Sequence, residues 1–141
     1  MSRIYWDSML FVYWLEDNPQ FAKRTGAVHS KMKERGDELI TSAFTFGEVL
    51  AGAYRAGALR AADESRRLLQ RVISEVVPFN LEASEHYARI RGTQGVAPAD
   101  AIHLACAAQA KVDLFLTNDK RLLGKFVPGI QFIATLETQL F

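Results

Sequence analysis

A single cysteine, Cys106, leaves the sequence without any internal disulfide. It sits in an alanine-rich stretch and reads as a small buried hydrophobe, which suits a reducing cytoplasm. No apolar run is long and uninterrupted enough to span a bilayer, so no membrane association is expected. The opening Met-Ser-Arg-Ile-Tyr-Trp-Asp carries an early acid and no cleavage site of small residues, which argues against a secretory leader. No stretch is both polar and of low complexity, and no repeat or linker is visible. Charge of one sign is lacking too. Seventeen basic residues against sixteen acidic ones give a net +1, which neither demands nor excludes a nucleic-acid partner. Histidines number three, His29, His86 and His103, and with Cys106 they show no zinc-ligand spacing. What remains, 141 residues with 49% apolar and 23% charged, suits one globular domain over residues 1–141.

Periodicity sets an alternating order of elements. Ile4-Tyr5-Trp6 reads as a strand, and Met9 to Leu15 as a helix capped by Asp7 or Ser8. Asn18-Pro19 breaks it; residues 20–35 form an amphipathic helix closed by Gly36. Glu38 to Thr41 is a second strand, Ser42 caps a helix through Tyr54, and Gly57 ends it. A helix over 59–74 buries Leu68, Leu69, Val72 and Ile73. A strand over Glu75 to Phe79 follows, and then a helix from Leu81 to Arg91 with a turn at Gly92 and Gly95. Pro98 opens a helix to about Ala110 that is apolar almost all round, hence central. Leu114 to Thr117 is an apolar strand, Asn118-Asp119 caps a short helix, and Gln131 to Ala134 is the last strand. This alternation predicts an α/β three-layer sandwich with a short, mainly parallel sheet between helices.

Twelve of the sixteen acids lie among polar neighbours, at turns or near the tail. Four do not: Asp7, Glu48, Asp100 and Asp119 are each embedded in apolar sequence. Buried carboxylates are costly unless they are paired, neutralised or bound to a cation, and basic residues are scarce in these windows. Asp7 and Asp119 fall at the C-terminal ends of predicted strands, where ligands bind in open parallel sheets. Taken singly, either reads equally as a helix N-cap, and Asp100 as a complement to a helix dipole. Glu48, in mid-helix beside Phe46, Val49 and Leu50, fits neither role. Four hard oxygen donors together suit Mg²⁺ or Mn²⁺.

The four windows are Ile-Tyr-Trp-Asp-Ser (4–8), Thr-Phe-Gly-Glu-Val (45–49), Ala-Pro-Ala-Asp-Ala-Ile-His-Leu-Ala (97–105) and Leu-Thr-Asn-Asp-Lys-Arg-Leu (116–122). In this order, and over nearly the whole chain, they resemble the PIN-domain ribonucleases, and among them the VapC-type toxins of toxin–antitoxin pairs. The resemblance implies a metal-dependent ribonuclease that leaves 5′-phosphate and 3′-hydroxyl ends. Asp7 and Asp100 would be the main metal ligands. Glu48 and Asp119 would ligate directly or through water, and Ser8, Thr117 and Asn118 would orient the carboxylates. It also implies an RNA substrate, a homodimer, and a small antitoxin wrapping the helices near 45–75.

Other residues have plainer readings. His103, one turn after Asp100, is expected to be a hydrogen-bonded histidine rather than a catalyst, and Trp6 and Trp14 to be core or contact residues rather than base-stacking platforms. Arg55, Arg60, Arg66, Arg67 and Arg71, like Lys120, Arg121 and Lys125, read first as solvated helix faces, while the resemblance leaves open that the arginines meet RNA or an acidic segment of the antitoxin. Phosphatase and receiver sites on similar sheets fit poorly, because position 9 is Met and Asp7 stands alone at the first strand. The remaining alternative is a non-catalytic or processing PIN-like RNA-binding module.

Overall fold

The computed structural model describes residues 1–138 and 140; residues 139 and 141, at the end of the expected unit, lie outside the described residues. In chain order the elements are β1 (Arg3–Trp6), α1 (Ser8–Leu15), α2 (Ala22–Arg35), β2 (Glu38–Ser42), α3 (Ala43–Arg55) and α4 (Leu59–Val72). Then follow β3 (Glu75–Val77), α5 (Leu81–Gln94), α6 (Pro98–Ala110), β4 (Leu114–Thr117), a 3₁₀ turn over Lys120–Leu122 and β5 (Phe132–Thr135). The five strands form one sheet in the order β3-β2-β1-β4-β5, and every pairing is parallel.

Strand alternation sorts the core into two halves. In β1, Ile4 and Trp6 face one side, where they pack with Leu10 and Phe11 of α1, Val28 and Met32 of α2, Val49 of α3 and Leu69 of α4. Tyr5 faces the other side with Ile40 and Phe115, under α5 and the alanine-rich α6. Helices of the first two crossovers thus cover one face and those of the third cover the other. Right-handed connections require this once the chain reverses its progress across the sheet. The reversal leaves a crevice beyond the C-terminal ends of β1 and β4.

Most local expectations hold. Ser42 caps α3 by accepting from the Thr45 N–H, Gly36 ends α2 in the left-handed region, and Pro98 opens α6. In α6, Ala101 and residues 103–108 are buried, which makes it the central helix. Several boundaries shift: the helix expected over 20–35 begins at Ala22, and the one expected over 59–74 ends at Val72. The turn expected at Gly92 is absent: α5 runs on to Gln94 and stops at Gly95, whose φ of 62° suits only glycine well. The third strand ends at Val77, because Pro78 cannot extend a ladder. The last strand is displaced by one residue, to Phe132–Thr135. On α4 Leu69 is buried, while Leu68, Val72 and Ile73 are half-buried.

Two glycines should respond very differently to a side chain. Gly129 has φ of 103°, and a Cβ there would stand 2.5 Å from the Ala108 carbonyl oxygen of α6. Gly36 has φ of 72° with nothing within 4 Å of the same position. Gly36→Ala should cost about 1–2 kcal/mol from backbone strain alone. Gly129→Ala adds a backbone clash and should cost about 2–5 kcal/mol. Urea unfolding of the two variants checks this; equal losses would contradict the close approach at Gly129.

Candidate metal centre

Each of the four singled-out acids is delivered to the C-terminal edge of the sheet by a different element. Asp7 follows β1 directly, and its N–H continues the strand by donating to the Leu116 carbonyl at 3.2 Å. Asp119 lies two residues beyond β4, across the β1–β4 crevice. Asp100 occupies the first turn of α6, and Glu48 sits on α3.

Asp7 is the most constrained. It is buried; its Oδ2 accepts from the Thr117 hydroxyl, and its Oδ1 is buried without a hydrogen-bond partner. Burial pushes the carboxyl from 3.8 up to about 6; the Thr117 bond, the His103 charge and the Met9 backbone N–H oppose this, and the Asp100 charge adds to it. Asp100 is also raised, first by burial and then by the charges of Asp119 and Glu48. The fields of all four carboxylates therefore meet around Asp100. Among the described residues, however, no three His, Cys, Asp or Glu side chains are drawn closely enough together to hold an ion.

Protein donors hold three of the acids. Thr117 joins two of them, since its Oγ1 donates to Asp7 and accepts from the Asp119 N–H at 3.1 Å. Glu48 Oε1 lies 2.6 Å from His103 Nε2. Burial raises Glu48, but bonds from His103 and Ser8 more than offset this and leave it lowered. Asp119 is gripped by Arg121, whose Nε and Nη2 reach its two oxygens at 3.0 and 2.8 Å, and this bond lowers its pKa. Asp119 also caps the 3₁₀ turn, so its N-cap reading was sound. Asp7 stands at the N-cap position of α1, yet its side chain makes no capping bond.

Of the three residues expected to orient the carboxylates, Thr117 and Ser8 bond an acid, whereas Asn118 donates to the Tyr13 hydroxyl at 3.1 Å instead. His103 is buried and hydrogen-bonded, as expected. Trp6 is fully buried, and Trp14 packs against it and His29. Arg55, Arg60, Arg67 and Arg71 are exposed, while Arg66 pairs with Asp63 and Tyr54. Two residues escaped the sequence reading. Arg121 was grouped with a solvated face, although its place two residues after Asp119 lets it fold back on that acid. Tyr5 read only as a strand residue, yet alternation turns its hydroxyl toward α6 and His103.

The donor chemistry suits a hard divalent cation, since the four side chains offer only carboxylate oxygens and Asp7 Oδ1 is buried without a hydrogen-bond partner, but among the described residues no three of them are gathered closely enough to hold one as they stand. A family model described as PIN domain matches residues 4–125. The chain belongs to the PIN domain family. No curated protein matches it in sequence. Among solved structures, this PIN domain is similar in fold to VapBC2 from Rickettsia felis bound to a promoter DNA fragment. The TM-score is 0.77 at 12% identity, over 94% of this chain and 98% of that one. It is also similar to a toxin–antitoxin complex from Klebsiella pneumoniae, with TM-score 0.65 and 17% identity over 90% and 94% of the two chains. A third likeness is VapBC-5 from Mycobacterium tuberculosis, with TM-score 0.61 and 19% identity over 94% and 98%.

The environment of Asp7 has a measurable consequence. Its raised pKa means that the folded chain holds the proton more tightly than the unfolded chain. Ionisation therefore costs nothing below about pH 3.8, a growing amount up to about 6, and its full value above that. The full value is about 2–3 kcal/mol. In chelator, Asp7→Asn should be more stable than wild type by about 1–3 kcal/mol at pH 7.5, with the gain vanishing near pH 4. Urea melts at the two pH values check this; a variant less stable at both would contradict it.

Proposed function

We propose that this PIN domain is a metal-dependent ribonuclease, the toxin of a toxin–antitoxin pair, and that Asp7, Glu48, Asp100 and Asp119 form its metal centre. The observation that carries the reading is the buried, unpartnered Oδ1 of Asp7 at the head of the β1–β4 crevice, with the Asp100 charge acting on Asp7 and those of Asp119 and Glu48 acting on Asp100. Mg²⁺ or Mn²⁺ bound there would activate water and neutralise charge on a phosphodiester. Asp7 and Asp100 would provide the main ligands, with Glu48 and Asp119 completing the set directly or through water. Thr117 keeps Asp7 and Asp119 in register, and Ser8 steadies Glu48. Arg121 would have to release Asp119 for that carboxylate to ligate, and its freed guanidinium is then suited to an RNA phosphate.

A small antitoxin is the proposed protein partner. Support comes from the likeness to toxin–antitoxin structures and from a groove between α1, α3 and α4 that opens beside Glu48. Val12, Leu15, Val49, Ala53 and Ala61 line it. We also propose a cytoplasmic homodimer. No described helix is long and apolar enough to cross a membrane. A second reading, a non-catalytic RNA-binding module, draws on the engagement of three acids by protein donors and the absence of a preassembled trio among the described residues.

The two readings separate in one assay. Purified chain should cut structured RNA with Mg²⁺ or Mn²⁺, leave 5′-phosphate ends and stop with chelator. Asp100→Asn should lose at least about a hundredfold in rate, more than an outer-shell partner typically contributes. Binding of RNA without cleavage would favour the module, and cleavage that survives exhaustive chelation would contradict the metal centre. Expressed alone, the wild type should slow bacterial growth and Asp7→Asn should not. Normal growth with abundant soluble wild-type protein would count against a toxin but not against a nuclease.

A further inference from the structure

Beneath the acids lies a buried polar chain that metal ligation leaves unexplained. His103 follows Asp100 by three residues on α6, so the two share a face, with Asp100 half-buried and His103 buried. The imidazole touches three other groups. Nε2 lies 2.6 Å from Glu48 Oε1, Nδ1 lies 2.8 Å from the Tyr5 hydroxyl, and the ring packs on Phe44 with centroids 5.2 Å apart. Phe44 and Glu48 are one turn apart on α3. One side chain of α6 therefore meets both α3 and the centre of β1.

The chemistry of the partners fixes which nitrogen carries the proton. An ionised carboxylate only accepts, so Nε2 must donate to Glu48. Burial raises the Tyr5 pKa, so the hydroxyl keeps its proton and can give it to Nδ1. We infer that His103 is a positioning residue that fixes the direction of the Glu48 carboxylate, and that Tyr5 favours the imidazole tautomer which does so. The inference rests on Glu48 serving the metal centre proposed above. A glutamate on a helix has several rotamers. The short bond to a charged acceptor selects one and occupies Oε1. Because Asp100 and His103 ride on the same turns of α6, the second and third acids become fixed relative to each other.

Two arms test this. In the first, ¹⁵N NMR of the ring nitrogens is recorded on metal-free protein, with the His103 signals identified after replacing His29 and His86 by Gln. The inference requires the proton on Nε2; a proton on Nδ1 alone would overturn it. In the second, RNA cleavage is compared in His103→Phe and His103→Gln, with melting curves for both. Phenylalanine keeps much of the ring's bulk but cannot donate, whereas the glutamine amide can reach toward Glu48. His103→Phe should lose about 10–100-fold in kcat, with KM for RNA within about threefold. His103→Gln should recover most of the loss even if its melting temperature is the lower of the two. A kcat for His103→Phe within threefold of wild type, or loss that simply follows melting temperature, would overturn the positioning role. If neither variant folds, the NMR arm on the His103-containing protein decides. If the wild type cuts no RNA, the nuclease reading falls, and the same NMR arm still decides the bonding of His103.

Discussion

Asp7 is buried at the seam of two parallel strands, and only one of its oxygens has a partner. That imbalance is the constraint on which the rest of the site depends. A carboxylate in such a place pays heavily for its charge unless a cation arrives. The fold ties it down at both ends. Its N–H is tied to β4 through Leu116, and its side chain is tied to the same strand through Thr117. The strand order puts the crevice at this point, where the chain stops adding strands on one side of β1 and begins on the other. Asp119 lines the opposite lip, while α6 and α3 bring Asp100 and Glu48 from above.

Without an ion, the protein manages the repulsion among these acids with its own donors. Arg121 grips Asp119, His103 holds Glu48, and Thr117 bonds Asp7. The directions of the pKa changes record the difference in environment. The two acids bonded to Arg121 or His103 are lowered, and in the other two burial outweighs the groups that lower them, so both are raised. A divalent ion would then favour Asp7 and Asp100 first, because they gain most from it. The grip on Asp119 is exposed at its arginine end and can be exchanged, whereas the bond to Glu48 is shielded beneath α6.

Much of this was legible in the sequence, for identifiable reasons. The alternation of Ile4, Tyr5 and Trp6, the all-round apolar character of 98–110, and the Ser42 and Gly36 caps are local signals, and each placed its element correctly. The four acids stood out because apolar neighbours surround them. Boundaries failed where a local signal was ambiguous: Gly92 is tolerated inside α5, and Gly95 is the residue that stops it. Contacts between distant side chains were out of reach. That Asn118 bonds Tyr13 rather than an acid, and that Tyr5 meets His103 across 98 residues, follows from packing that periodicity does not encode.

The central claim is that the four carboxylates form one divalent-metal centre, and linkage between metal and stability addresses it without assuming any substrate. Thermal melts of wild type and Asp100→Asn, with and without Mg²⁺ at low ionic strength, compare that claim with a helix-dipole role for Asp100. The account predicts that metal-free Asp100→Asn is at least as stable as wild type, and that Mg²⁺ raises the wild-type melting temperature more than the variant's. A variant destabilised by the roughly 0.3–1 kcal/mol of a lost dipole interaction, together with a wild type indifferent to Mg²⁺, would contradict it.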